Sequence, residues 1–180
     1  MPHSQMLINY VPGEECRVAI VEDAVFNHGG TLDKYIGDGL MATFGTPSPG
    51  PFDATSAIAA TRQTLRELAG WNRRREAAAE RPIRIGVGLH FGLATLGDVG
   101  TEQRFELTVV GDTVNIASRI EQLSRTLGIA VVASEDLIQR ALVESGAEAT
   151  RDFRDLGNHA IRGRDAPLRL WGLSAESQVP

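Results

Sequence analysis

Residues 31–44 read Thr-Leu-Asp-Lys-Tyr-Ile-Gly-Asp-Gly-Leu-Met-Ala-Thr-Phe, two partly apolar segments on either side of a glycine-flanked aspartate. The two segments, Thr31 to Ile36 and Leu40 to Phe44, have the composition of short strands. Gly37-Asp38-Gly39 separates them, and Asp-Gly favours a tight hairpin because both turn positions want a positive φ. The stretch therefore predicts a β-hairpin.

Helices are predicted on both sides of this hairpin. Apolar residues at a spacing of three and four predict a helix over Glu14 to His28. The proline-rich segment Gly45 to Pro51 is a predicted loop, after which Asp53 is the expected cap of a helix that reaches Trp71. The charged stretch Asn72 to Arg81 is typical of a solvated helix end or a surface excursion.

The second half of the chain alternates between strand and helix patterns. We expect a turn at His90-Phe91-Gly92, a helix cap at Asp112 and another at Ser134. The predicted elements are strands 83–89 and 93–96, helix 113–127, strand 130–133, a helix after Ser134, and strands 153–161 and 168–173. This order predicts an α+β fold in which helices cover a largely antiparallel sheet.

Composition limits the possible functions. The chain has 180 residues, of which 42% are hydrophobic and 23% charged, so we expect one domain over residues 1–180. A net charge of −5 argues against nucleic acid as a partner. Cys16 is the single cysteine and no leader pattern is visible, which favours the cytoplasm. The apolar stretch from Ile85 to Gly97 is too short to be a membrane segment.

Two residues of the hairpin are candidates for nucleotide chemistry. Asp38 is flanked by glycines, so its carboxylate can approach a phosphate-bound Mg²⁺ closely, although Asp-Gly also forms plain turns. Lys34 would be costly to bury without a partner, and an exposed lysine on an edge strand explains it equally well.

Further along the chain, Asn115 and Arg119 are four residues apart and share one polar stripe of a predicted helix. An amide and a guanidinium on one stripe suit a sugar and a phosphate, and a solvated helix face has the same spacing. The basic segment Arg162-Gly163-Arg164 can bind a polyphosphate or simply be a surface turn. The spacings of dinucleotide-binding, P-loop, zinc and serine-hydrolase motifs are not found.

Three segments together resemble class III adenylyl/guanylyl cyclase domains. They are Leu32 to Ala42, Arg84 to Gly92 and Val110 to Arg119. The resemblance runs from about Glu14 to Leu173 and implies a ferredoxin-like nucleotide cyclase fold.

The resemblance also implies a reaction, the formation of 3′,5′-cyclic AMP and pyrophosphate from ATP, and a role for each matching residue. Adenine is favoured over guanine because the base-selecting positions hold lysine and threonine, where guanylyl cyclases usually have glutamate and cysteine. The implied roles are metal binding for Asp38, base selection for Lys34 and Thr108, ribose orientation and transition-state stabilisation for Asn115 and Arg119, and triphosphate contact for Arg162.

Cofactors and partners follow from the same resemblance. Two ions of Mg²⁺ or Mn²⁺ are expected per site, held by carboxylates. A head-to-tail homodimer, or a heterodimer with another cyclase domain, is expected to form composite sites from residues of both subunits.

The beginning of the chain departs from the family pattern. A cyclase domain opens with a buried strand that carries the first metal aspartate, followed by a further helix. Here Met6 to Val11 is the only strand-like segment upstream, and Asn9 is its only polar residue. We therefore expect residues 1–13 to be atypical, the first strand and helix to be missing, and residues 174–180 to form a tail.

This departure leaves three functions open. The chain is expected to be weakly active or inactive unless a partner supplies the missing carboxylate. The alternatives are a non-catalytic cyclase-like module that binds nucleotide or dimerises, and a guanylyl cyclase.

Overall fold

The structure is a computed structural model that describes residues 2–10, 16–37, 39–101 and 104–173. Side chains are described within residues 20–37, 39–97 and 109–173. The elements are β1 (Pro2–Tyr10), α1 (Cys16–Asn27), β2 (Thr31–Ile36), β3 (Gly39–Phe44), α2 (Asp53–Ala77), β4 (Ile85–Leu93), β5 (Thr95–Thr101), β6 (Arg104–Val110), α3 (Asp112–Leu127), β7 (Val131–Ser134), α4 (Glu135–Ser145), a 3₁₀ turn (Ala147–Ala149), β8 (Arg154–His159) and β9 (Leu168–Leu173).

Seven of these strands form one sheet in the order β2-β3-β1-β4-β7-β9-β8. The pair β4–β7 is parallel and the other neighbouring pairs are antiparallel. β5 and β6 form a separate antiparallel ribbon. The expected α+β fold with a largely antiparallel sheet is confirmed.

Helices cover both faces of the sheet. Val131 and Ala133 of β7 belong to the apolar cluster that includes residues of α1, α2 and α4, whereas Val132 packs in a second cluster with Ile116 and Ile120 of α3. Successive residues of a strand point to opposite faces. Of the described α-helices, α1, α2 and α4 therefore cover one face of the sheet, and α3 covers the other.

The expectation of a missing first strand is wrong. β1 lies between β3 and β4, where Leu7 is opposite Met41 on one side and Gly88 on the other. The polar residues in Pro2–Tyr10 make a weak strand pattern, and pairing with two distant strands decides the outcome. Among the described residues, α1 is the one helix between β1 and β2.

The predicted hairpin is confirmed as β2 and β3, with one irregularity. Leu32 is opposite Ala42 and Lys34 is opposite Met41, so Asp33 is an extra residue on β2. Such a β-bulge changes where the neighbouring side chains point.

Two predictions about the next strands are wrong. His90-Phe91-Gly92 is not a turn, because β4 runs without interruption from Ile85 to Leu93. β6 has no counterpart among the predicted strands, although Phe105, Leu107 and Val109 alternate with polar residues in the sequence. That alternation is itself a strand signal.

The helix caps also differ from prediction at two of three positions. Asp53 and Asp112 are the first helical residues of α2 and α3, which follow Phe52 and Gly111 as caps. Asp53 instead accepts a hydrogen bond from the Gly50 amide (2.7 Å). The third cap, Ser134, is confirmed and accepts the Leu137 amide. α2 also extends beyond the predicted Trp71 to Ala77, because the charged stretch after Trp71 consists mainly of good helix formers.

Candidate functional site

Lys34 and Thr108 lie on strands that are joined by one buried side chain. The backbone of Thr108 pairs with Gly97 in the β5–β6 ribbon. The amide of Val109 donates a hydrogen bond to Oδ1 of Asp33 (3.0 Å), and Oδ2 of Asp33 lies 3.7 Å from Nζ of Lys34. The strands that carry the two expected base-selecting residues are therefore held together in one chain.

Two predicted site positions fall partly or wholly outside the described residues. Asp38 is one of them, between Gly37 with its φ of +61° and Gly39, the first residue of β3. The side chain of Thr108 is the other.

α3 presents the expected polar pair. It starts two residues after β6 ends, so the ribbon and the helix are closely connected. Ile116 and Ile120 are buried and fix the orientation of the helix. Asn115 is exposed and Arg119 is partly exposed on the other side of the same turns. Both side chains are thus accessible to a ligand.

The basic turn Arg162-Gly163-Arg164 lies next to Arg119. A Cβ atom at Gly163 would be 3.2 Å from Nη1 and 3.3 Å from Nη2 of Arg119. Arg162 and Arg164 are exposed. The structure therefore brings Arg119 and this turn together, which concentrates positive charge at one place suited to a polyphosphate.

His90 is buried beneath this region. Its Nδ1 is 2.8 Å from Oγ of Ser134, and the residue is 3% exposed. Burial and the nearby positive charge of Arg164 lower the pKa of His90 to about 4, while Asp112 acts in the opposite direction. The ring is neutral at pH 7.

Metal ligands are sparse. Within the described ranges, no three His, Cys, Asp or Glu side chains group together. β1 contains no acidic residue, and its backbone places Asn9 opposite Gly39, the residue that follows Asp38. β1 therefore pairs with the start of β3 through Asn9, an amide residue and not an acidic one.

Sequence reasoning missed two residues that the structure places at the candidate site, Asp33 and Gly163. Asp33 follows Leu32 in a strand, and its partner amide is 76 residues away, so no local pattern reveals the contact. Gly163 was noted only as part of a basic turn, and its closeness to Arg119 depends on how α3 packs.

Comparison with known proteins agrees with this description. Residues 23–173 match the family model of the adenylate and guanylate cyclase catalytic domain. A Mycobacterium tuberculosis protein is 35% identical over 84% of this chain and 26% of its own length. Adenylate cyclase 2 of Rhizobium meliloti is 32% identical over 88% of this chain and 42% of its own length. The chain spans less than half of each of these relatives.

Solved structures share the fold. The adenylyl cyclase CyaB from P. aeruginosa has a TM-score of 0.77 at 23% identity, over 95% of this chain and 92% of that one. The guanylyl cyclase Cya2 has a TM-score of 0.74 at 23% identity, over 96% and 91%. None of the described helices combines the length and apolar character that a bilayer span requires. The family match over residues 23–173 shows that the chain belongs to the adenylate and guanylate cyclase catalytic-domain family.

Proposed function

We propose that the chain is an adenylyl cyclase domain that converts ATP to cyclic AMP and pyrophosphate. The observation that carries this proposal is the contact between Arg119 and the turn that holds Arg162. It brings the Arg119 guanidinium next to the turn that carries Arg162 and Arg164, and Asn115 is an exposed amide on the same helix. We expect the arginines to bind a triphosphate and the amide to bind the ribose.

Adenine is the proposed base. The pair Lys34 and Thr108 resembles adenylyl rather than guanylyl cyclases, and the Asp33 contact supports a role for the two positions in one site. Two relatives from Rhizobium meliloti, 30% and 32% identical to this chain, are named adenylate cyclases.

In the proposed reaction the ribose 3′-hydroxyl gives its proton to water, and its oxygen forms a bond to the α-phosphorus. The bond between the α-phosphorus and the oxygen of the leaving pyrophosphate breaks. Asn115 orients the ribose, and Arg119 donates hydrogen bonds to charge that develops on the phosphoryl oxygens. Arg162 binds the triphosphate as it becomes pyrophosphate.

Among the residues whose side chains the structure describes, no three metal-ligating side chains group together, so these residues do not fit a two-ion metal site by themselves. Asp38 is the only metal carboxylate that the resemblance assigns, and β1 contains no acidic residue. A partner domain with an aspartate in the strand corresponding to β1 would complete the donor set. We accordingly propose a dimer, with the whole chain as one domain in the cytoplasm.

Product formation by the full chain tests the proposal. Cyclic nucleotide is measured after incubation with ATP or GTP and Mg²⁺ or Mn²⁺, and we expect cyclic AMP to exceed cyclic GMP. Arg119→Ala should lower turnover by at least 100-fold, as expected for loss of a transition-state donor. Arg66→Ala, at an exposed arginine of α2, is the control and should have no effect. Higher turnover with GTP would show a guanylyl cyclase instead.

A gain-of-function variant tests the metal argument. Because the backbone of Asn9 pairs with Gly39, Asn9→Asp introduces an acidic residue at the β1 position opposite the start of β3. We expect this variant to increase cyclic AMP formation with Mn²⁺, whereas Asn9→Ala should not. Equal turnover of all three proteins would show that the first carboxylate is dispensable or located elsewhere.

The missing carboxylate also favours a second candidate, a non-catalytic module that binds ATP. ATP binding without product, both for the natural chain and for Asn9→Asp, would support this alternative.

A further inference from the structure

Asp33 occupies an unusual place at the edge of the sheet. It is the extra residue of a β-bulge on β2, an outer strand. Although it lies on an edge strand, its side chain is only 5% exposed. A carboxylate buried to this degree is costly unless hydrogen bonds and charges compensate it.

The contacts of Asp33 join two separate sheets. Its Oδ1 accepts the Val109 amide of β6 at 3.0 Å, and its Oδ2 lies 3.7 Å from the Lys34 ammonium. β2 belongs to the seven-stranded sheet, whereas β6 belongs to the two-stranded ribbon. In a regular strand Asp33 and Lys34 would point to opposite faces, and the bulge allows the two side chains to meet.

These contacts lie directly next to the two residues that the resemblance links to base selection. Lys34 follows Asp33 in the chain, and Thr108 precedes Val109. We propose that Asp33 is a positioning residue for purine selection, which sets the distance between the Lys34 ammonium and the Thr108 backbone. This inference rests on the proposed nucleotide cyclase function and deepens it.

Two kinds of contact contribute, and two substitutions separate them. Asp33→Asn keeps an oxygen that can accept the Val109 amide and removes the negative charge beside Lys34. Asp33→Ala removes the whole carboxylate, and with it the Val109 hydrogen bond and the negative charge beside Lys34. If Asp33 positions both selector residues, the loss of base discrimination should be partial in Asp33→Asn and largest in Asp33→Ala.

Asp155 provides a matched control. It also lies beside a bulge on an edge strand, β8, at the opposite end of the sheet. Its Oδ1 accepts the Gly157 amide at 2.8 Å, and its Oδ2 is 2.5 Å from Nη2 of Arg169. Asp155→Ala therefore removes the same kinds of contact far from Lys34 and Thr108.

The experiment measures the affinities of the full chain for ATP and GTP by calorimetry, together with hydrogen exchange at the Val109 amide. Relative to the natural chain, we expect Asp33→Ala to reduce the ratio of ATP to GTP affinity by about tenfold, the scale of one lost hydrogen bond. Exchange at Val109 should become about tenfold faster. Asp33→Asn should change the ratio by about threefold, and Asp155→Ala should change neither quantity.

Each result has a distinct meaning. An unchanged affinity ratio in Asp33→Ala, or in Asp33→Asn if the alanine variant does not fold, overturns the role of Asp33 and leaves the cyclase proposal standing. An equal change in Asp155→Ala also overturns it, because the effect would then be general. A natural chain that binds neither nucleotide overturns the proposed function, and the role of Asp33 with it.

Discussion

At the scale of single residues, Gly163 controls how close the basic turn comes to Arg119. Its φ of +76° favours glycine, and a Cβ atom there would press on the Arg119 guanidinium. Gly157 has a φ of +79°, and a Cβ atom there would meet no neighbouring group within 4 Å. The two glycines share the same backbone requirement and differ in what a side chain would meet.

We predict that Gly163→Ala and Gly157→Ala each lower the free energy of unfolding by about 1 kcal/mol, because alanine is strained at positive φ. Cyclic AMP formation should fall about tenfold or more in Gly163→Ala alone, since Arg119 is displaced. Urea unfolding and the turnover assay measure the two effects. Similar turnover in both variants would contradict the positioning of Arg119 by Gly163.

His90 should make the stability of the protein depend on pH. Its pKa in the folded protein is about 4, below the ordinary 6.5, so the unfolded chain takes up the proton first as the pH falls. The contribution of neutral His90 to the free energy of unfolding is complete above pH 6.5. It decreases as the pH falls towards 4. The full effect is about 3 kcal/mol.

Replacing His90 by glutamine should flatten this dependence, because glutamine can bond Ser134 without titrating. Urea unfolding between pH 7 and pH 4 measures the slope for the natural chain, for His90→Gln and for His159→Gln, a partly buried histidine on β8. An equal slope in the natural chain and His90→Gln would show that other groups cause the loss of stability in acid.

At the scale of elements, the glycines of β4 determine how closely α3 packs on the sheet. A Cβ atom at Gly88 would be 2.3 Å from the Ala117 carbonyl oxygen and 2.5 Å from the Glu121 amide nitrogen. Both are backbone atoms of a helix, which cannot move aside as a flexible side chain can. The position of α3, and with it Asn115 and Arg119, depends on this close approach.

We predict that Gly88→Ala lowers the free energy of unfolding by about 3 kcal/mol through overpacking. Gly97→Ala in β5 is the control, because a Cβ atom there has open space. Chemical denaturation measures both variants. A Gly88→Ala protein as stable as the natural chain would show that α3 can shift without cost.

The sequence predicts well those elements that local chemistry determines, and it predicts β4 poorly because of these glycines. The β2–β3 hairpin and the Ser134 cap follow from local chemistry, and both are confirmed. In β4, the glycines and His90 suggest a break, yet the strand is continuous because glycine is what allows α3 to contact it. Close packing of a helix 30 residues away leaves no trace in the local pattern.

At the scale of the whole molecule, β1 holds the sheet together. Its backbone pairs with β3 from Ser4 to Asn9 and with β4 from Pro2 to Tyr10. The sequence alone cannot assign this central position, because it depends on pairing with strands that are distant in the chain. The roles of Asn115, Arg119 and Arg162 stay predictions, but the structure shows that Arg119 and the turn containing Arg162 are close together.

We predict that removal of residues 1–10 abolishes cooperative unfolding. Without β1, the edges of β3 and β4 have unpaired backbone groups and no strand between them. Thermal unfolding followed by circular dichroism measures the effect, and a synthetic peptide of residues 1–10 added in trans should restore part of the transition. A truncated chain that melts like the full chain would contradict the central role of β1.

The position of β1 also has a consequence for synthesis on the ribosome. β1 is made before both of its partners, and one of them, β4, begins about 40 residues after β3 ends, a delay of roughly 2 to 8 seconds at about 5–20 residues per second. During that interval β1 can pair with the hairpin on one side while its other edge is open. The nascent chain is therefore most exposed to aggregation, and most dependent on chaperones, between completion of β3 and emergence of β4.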